Sequence, residues 1–370
     1  MAKILHMADM HLDSPMTSVL SPDAASLRRA EQRETFSRIL ELAAEESAVL
    51  LISGDLFDSG RVSRETVNFL KRRFSEIGNI PVFISAGNHD PYAGASPYKT
   101  VDFGSNVHIF GTEPGYFDLH DLKLRVSGVS FPSEGTARLT RPGEFEKHSE
   151  YANILVIHGD VQTSGRRDTG YNPISAAELQ ESGFDYAALG HVHSFSGIEH
   201  SGAVSWAYPG IPEPRGFDET GDAGVIIGSV ERGSVSLKKI SVAKRSCRVA
   251  ELELTDSVAD NEAVIERLAE KLDDPKDLYR IILCGRPRAG FSPDIDLLQR
   301  RIEGMAFYTE LIDKTLPGYD FEVDDNDGSL RAVYIRMMKK RLAELSAGSR
   351  EYRIAQEALR LGVDAMESGE

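Results

Sequence analysis

The sequence predicts an α/β fold, and two observations carry that expectation. Up to His193, apolar β-branched runs alternate with helical patterns, and each run stops just before a His, Asp or Asn. After His193 the pattern turns to strands separated by Gly-rich turns. Two sheets packed face to face, with helices outside, accommodate both stretches.

The elements follow in order. An extended segment leads to Asp9-Met10-His11. From about Ala24 to Glu46 a helical face is marked by Leu27, Phe36, Ile39, Leu40 and Leu42. Ala48 to Ile52 reads as a buried strand leading to Gly54-Asp55. Val67, Leu70 and Phe74 give a helix from about Arg64 to Ile77. Ile80 to Ile84 leads to Gly87-Asn88-His89-Asp90, Ile154 to Ile157 leads to His158-Gly159-Asp160, and Tyr186 to Leu189 leads to Gly190-His191-Val192-His193. Ser175 and Glu178 form a capping box, and Gly183 closes that helix. Val204–Tyr208, Gly224–Ile227 and Val235–Ile240 are the later strands. The basic stretch Ala243–Ser246 ends a first domain, residues 1–243. A smaller α+β unit follows, residues 246–325, with strands near Arg248–Leu254 and Tyr279–Leu283 and a helix near Asn261–Leu272. Past the turn-prone Asp324–Gly328, residues 328–370 hold two helices, from about Leu330 to Leu345 and from about Arg350 to Met366. Val333, Met337, Leu345, Tyr352, Ala355, Leu359 and Val363 mark apolar faces that need a partner surface.

The bulk numbers narrow the function classes. With 370 residues and 41% hydrophobic content the chain can bury several cores. Its two cysteines, Cys247 and Cys284, form no C-x-x-C pair, so they support no zinc knuckle or disulfide framework. The first motif starts too close to Met1 for a cleavable signal peptide, and no apolar run has the length of a membrane span. The expectation is a soluble, cytoplasmic protein. A formal net charge of -16 opposes non-specific nucleic-acid binding. A phosphate substrate would have to be drawn in by local positive charge, which two divalent ions would supply.

The motifs form a ligand set for two adjacent ions. Strand ends converge on one rim of a sheet, where α/β folds place their sites. Asp9 and His11, two apart in an extended segment, aim to one side. Asp55 has two oxygens and can bridge. We expect Asp9, His11, Asp55 and His193 on one metal, and Asp55, Asn88, His158 and His191 on the other. Nitrogen and oxygen ligands without thiolate suit manganese, with iron or zinc as the alternatives. Such a pair breaks phosphate esters with water. His89, spare in this count, is expected to serve as general acid or to stabilise the transition state. Asp58 and Asp90 could each orient a histidine. Arg166, Arg167 and Arg215 are candidate substrate contacts, although a solvated loop accounts equally well for the first two. His6, His108, His120, His148 and His200 match no motif and are expected to be surface or packing residues.

The order D-x-H, GD-x-x-D, GNHD, HGD and GHVH resembles the calcineurin-like metallophosphoesterase superfamily. Leu5–Asp13, Gly54–Asp58 and Tyr208–Glu219 look like its SbcD branch of DNA-repair nucleases. Tyr171-Asn172-Pro173 and the ending Glu357–Met366 look like the related YhaO group. The resemblance implies a four-layer α/β/β/α sandwich, two manganese ions and nuclease action on DNA. It also implies that the smaller unit is a DNA-recognition cap, that the last helices dock on an SbcC-like coiled-coil ATPase, and that the chain can form homodimers. Ser59 stands where the superfamily's protein phosphatases have Arg, which argues against that branch. A nucleotide or small-molecule phosphodiesterase is the nearest alternative. A scaffold that has lost its chemistry is the other, and the complete ligand set argues against it.

Overall fold

The computed structural model describes residues 1–16, 20–135, 138–162, 170–324 and 326–367. The chain divides into two compact units, Met1–Arg248 and Val249–Glu370. The second contains the expected terminal helices and all of the expected smaller unit except residues 246–248.

The strands, in chain order, begin with β1 (Ala2–Met7), β2 (Val49–Ser53), β3 (Val82–Ser85) and β4 (Val107–Ile109). Then come β5 (Gly115–Leu119), β6 (Leu124–Gly128), β7 (Ala152–His158), β8 (Val161–Gln162) and β9 (Ile174–Ser175). The first unit closes with β10 (Tyr186–Gly190), β11 (Glu199–Ser201), β12 (Val204–Ala207), β13 (Val225–Glu231) and β14 (Ser234–Ile240). Its helices are α1 (Pro22–Glu46), α2 (Arg64–Glu76), the short α3 (Pro97–Thr100) and α4 (Ala176–Ser182).

Two six-stranded sheets form among the described residues. One runs β14-β13-β1-β2-β3-β4 and the other β11-β12-β10-β7-β6-β5. Strands β1 to β4 are parallel neighbours, with β13 antiparallel beside β1. Strands β6, β7, β10 and β12 are likewise parallel. The period of two sorts the side chains. Val49 and Leu51 face the core between the sheets, with Ile4, Phe83, Val126, Ile154 and Ala188. Leu50 and Ile52 face the other way, onto Phe36, Ile39 and Leu40 of α1 and Leu70 and Phe74 of α2. On the far side, Leu155, Ile157, Ala187 and Leu189 pack with Leu179 of α4 and Trp206. The strands that carry the motifs read as continuous apolar runs because both of their faces are covered. The layering is α/β/β/α, the sandwich that the resemblance implied.

Local signals hold the helices in place. Ser21 caps α1, Pro22 sits at its first position, and Ser47 closes it in a left-handed conformation. The capping box at Ser175 and Glu178 is formed, and Gly183 at φ 76° ends α4.

Farther along the chain β15 (Cys247–Leu254), β16 (Leu278–Gly285) and β17 (Tyr308–Asp313) form a three-stranded sheet. Helices α5 (Asn261–Lys271) and α6 (Ile295–Ile302) cover it through Val264, Leu268, Leu298 and Ile302. Helices α7 (Leu330–Ala343) and α8 (Arg350–Glu367) pack on each other through Ile335, Leu359 and Val363. Of the residues expected to need a partner, Ala355, Leu359 and Val363 are buried by the chain itself. Val333 and Met337 stay exposed, together with Leu330, Ile354 and Leu361. No described helix is long and apolar enough to cross a membrane.

Candidate metal centre

The site lies where the strands of both sheets end. It differs in one respect from the expectation for Asp9 and His11. They do not alternate along a strand, because β1 stops at Met7 and both adopt positive φ, 53° and 48°. Asp55 (φ 51°) and His191 (φ 106°) share that left-handed region. Asp and His tolerate it better than most residues, yet each still stores strain that the surrounding fold must hold. Backbone bonds do so: Asp9 N–H donates to the Gly54 carbonyl and His11 N–H to the Asp55 carbonyl. The two loops therefore brace each other.

Three histidines follow one pattern, each aiming Nε2 inward while Nδ1 faces an oxygen behind it. His158 Nδ1 donates to the Ser53 carbonyl at 2.8 Å, which leaves Nε2 3.0 Å from Asn88 Oδ1 and 3.4 Å from Asp55 Oδ2. His193 Nδ1 pairs with Glu219 Oε1 at 2.9 Å, and its Nε2 is 3.9 Å from Asp9 Oδ1. His11 Nδ1 faces Asp58 Oδ1 at 3.4 Å, and its Nε2 is 3.8 Å from Asp55 Oδ2. His11 and His193 bring their Nε2 atoms to 3.3 Å of each other. When both rings carry their proton on Nδ1, these two Nε2 atoms face each other as lone pairs. A cation between them resolves that conflict.

Two ligand groups emerge among the described residues: Asp9, His11 and His193, and Asp9, Asp55 and His158. Within each group the ligand atoms lie within 4.8 Å of one another. The donor set fits a pair of divalent ions. Asp9 reaches both groups, whereas the sequence reading gave it to one metal. His191 contributes its backbone as well: its N–H donates to Asp9 Oδ1 at 3.1 Å, and its ring lies 5.3 Å from that of His158. Tyr171 flanks the His191 ring at 5.4 Å.

Burial would raise the Asp55 carboxyl, but the neighbouring His158 charge outweighs it and holds Asp55 well below the usual range. His158 is pushed the other way. Burial lowers it, Asp55 more than offsets this, and it rises to about 9. A bound cation must displace that proton, so metal affinity depends on pH. His191 falls to about 3 through burial and the His158 charge.

Asp90 was expected to orient a histidine, and it holds backbone instead. It accepts from the N–H groups of Asp55, Phe57 and Gly87 and from the Tyr98 hydroxyl at 2.6 Å. Burial, with Asp55 nearby, raises it to about 7. Arg215, expected to touch substrate, donates Nη1 to Asp58 at 2.8 Å and Nε to Glu219 at 3.0 Å, and Nη2 also donates to Glu219. A substrate phosphate would have to compete with both carboxylates for this guanidinium. Arg166 and Arg167 lie outside the described residues.

The motif glycines have a steric task. A Cβ on Gly190 would meet the Ser53 carbonyl at 1.8 Å, and one on Gly87 would meet Asp55 Oδ1 at 2.1 Å. Backbone and ligands approach too closely there for any side chain.

Sequence reasoning missed Glu219 and the Ser53 carbonyl. A backbone carbonyl carries no sequence signal. Glu219 lay in the stretch Tyr208–Glu219, but only Arg215 was singled out from it.

The Calcineurin-like phosphoesterase family model matches residues 2–195, more than half of the chain. All seven proposed ligands and His89 fall within it. The chain is 30% identical over 249 residues to the uncharacterized metallophosphoesterase YhaO of Bacillus subtilis (strain 168), covering 63% of this chain and 58% of that protein. It is 29% identical over 243 residues to the DNA double-strand break repair protein Mre11 of Aeropyrum pernix, covering 60% and 56%. It is 27% identical over 238 residues to the Mre11 of Methanopyrus kandleri, covering 60% and 51%. The matches thus span little more than half the length of these relatives. With its strand-end ligands, its two-sheet sandwich and this match, the chain belongs to the calcineurin-like phosphoesterase family.

Proposed function

We propose that this chain is a two-metal phosphodiesterase acting on DNA, the nuclease subunit of a repair assembly. The observation that carries the chemistry is Asp55, a buried carboxylate 3.4 Å from His158 Nε2 and 3.8 Å from His11 Nε2. This side chain thereby approaches one imidazole of each set, and Asp9 reaches both sets beside it. Bound divalent ions, manganese by preference, supply charge stabilisation on phosphate oxygens and a water acidic enough to attack at neutral pH.

The chain's own groups do the rest. Ser53 and Glu219 hold the His158 and His193 imidazoles with Nε2 inward, and Asp58 faces that of His11 at 3.4 Å. Asp90 and Tyr98 lock the loop that carries Asp55. His89 is exposed while its neighbours Asn88 and Asp90 are buried. Its N–H donates to Asp55 Oδ1 at 3.0 Å and its ring lies 5.0 Å from that of His11. A solvent-facing imidazole beside buried ligands suits proton donation to a leaving oxygen.

DNA as substrate is supported by the names of the two Mre11 relatives. On this reading residues 1–243 form the nuclease domain, residues 246–325 a recognition cap, and residues 328–370 a segment that binds an SbcC-like ATPase; a homodimer is compatible with it. The net charge of -16 favours the rival, a nucleotide or small phosphodiester as substrate.

Manganese-dependent digestion of end-labelled duplex DNA tests the proposal, with Asp55→Ala as control. Degradation by the wild type that the variant lacks is the expected result. His89→Asn should lower turnover by about 100-fold or more while still binding metal. Hydrolysis of a small phosphodiester with DNA left intact, alone and with the ATPase, would transfer the assignment to the rival.

A further inference from the structure

We infer that Arg215 is a positioning residue that serves one of the two metals and not the other. The inference rests on the two-metal reading above. In that reading one ion takes both His11 and His193. The carboxylates behind these two imidazoles are Asp58 and Glu219, and Arg215 bridges the pair. It donates to Asp58 through Nη1 and to Glu219 through Nε and Nη2. Both histidines of one ion are thus aimed through a single guanidinium.

At the second ion, the imidazole of His158 is aimed without Arg215. His158 is aimed by the Ser53 carbonyl, a backbone group that no side-chain substitution removes.

Geometry makes Arg215 hard to replace. Its planar fork reaches two carboxylates in different directions, which a lysine ammonium cannot reproduce. The loop that presents it is itself fixed. The preceding Glu213 is 1% exposed and accepts from Arg28 Nη2 at 2.6 Å and from Thr35 at 2.7 Å. Arg28 also donates to the Pro214 carbonyl at 2.8 Å. Helix α1 therefore places the backbone on which the clamp stands. Without the guanidinium, Asp58 and Glu219 lose the group that fixes their spacing, and the two imidazoles lose their common aim.

The test is a manganese titration of the full chain, read by calorimetry and by the electron paramagnetic resonance signal of a coupled ion pair. Arg215→Lys keeps the charge, and Glu219→Gln keeps the shape, so one can serve if the other folds poorly. Each variant should bind one ion as the wild type does and the other about 10–100-fold more weakly, the usual effect of losing such a support. The coupled signal should vanish at concentrations that fill the wild type. Asp55→Ala should weaken both ions. Two ions held with wild-type affinity in Arg215→Lys or Glu219→Gln would overturn the inference, as would equal weakening of both. A wild type that binds only one ion would instead sink the two-metal reading, and the inference with it.

Discussion

His6 sits behind the metal centre, fully buried between Tyr186 and Ser53. Its tautomer can be worked out. The single hydroxyl proton of Ser53 goes to the Ala188 carbonyl, so Ser53 Oγ must accept from His6 Nε2–H. His6 Nδ1 then accepts from the Tyr186 hydroxyl at 2.8 Å. The ring is neutral. Burial lowers it from 6.5 to about 3, against a smaller opposite effect of the Leu189 backbone. Below pH 6.5 the unfolded chain binds a proton that the folded one refuses. Its contribution to stability is therefore intact above 6.5 and is lost as pH falls toward 3, by about 1.4 kcal/mol per unit. Urea midpoints from pH 7.5 to 4.5 should fall less steeply in His6→Gln, and identical slopes would refute this account. The sequence reading gave His6 only a surface or packing role, since its significance lies in partners some 50 and 180 positions away. The candidate ligands stood out in the sequence for the opposite reason. Each follows an apolar run that must be a buried strand, and their residue types are chemically restricted.

Among the elements, α7 and α8 separate what periodicity can and cannot tell. The apolar spacing was visible, but which stripe the chain covers by itself depends on packing. Val363 and Leu359 lie in the helix–helix core, whereas Met337 and Leu361 face solvent. Met337→Ser and Leu361→Ser should change unfolding free energy by no more than about 0.5 kcal/mol. Both should weaken pull-down of the proposed coiled-coil ATPase, because exposed apolar rows mark interaction surfaces. Val363→Ala should instead cost about 1–3 kcal/mol in urea unfolding without touching that surface. Full retention of the ATPase by the double variant would remove these helices as its dock. Strands β4, β5 and β6 went unread because they interleave polar residues such as His108, Asp118 and Arg125.

For the whole molecule, the charge of -16 sets the terms of any encounter with DNA. The isolated chain should bind duplex DNA weakly in fluorescence anisotropy, with a shallow dependence on salt, and more tightly once the ATPase is added. Tight, steeply salt-dependent binding by the chain alone would contradict the idea that the partner supplies the grip. Sheet order was the least legible feature. Nothing local says that β13 lies antiparallel beside β1, some 220 positions away, since that pairing is decided by the whole sandwich. The same sandwich holds Asp9, His11, Asp55 and His191 in backbone shapes that a glycine would adopt with less strain. Robustness and chemistry therefore pull these positions in opposite directions. A lineage selected only for endurance would drift toward glycine there and arrive at a sturdier molecule stripped of its candidate ligands.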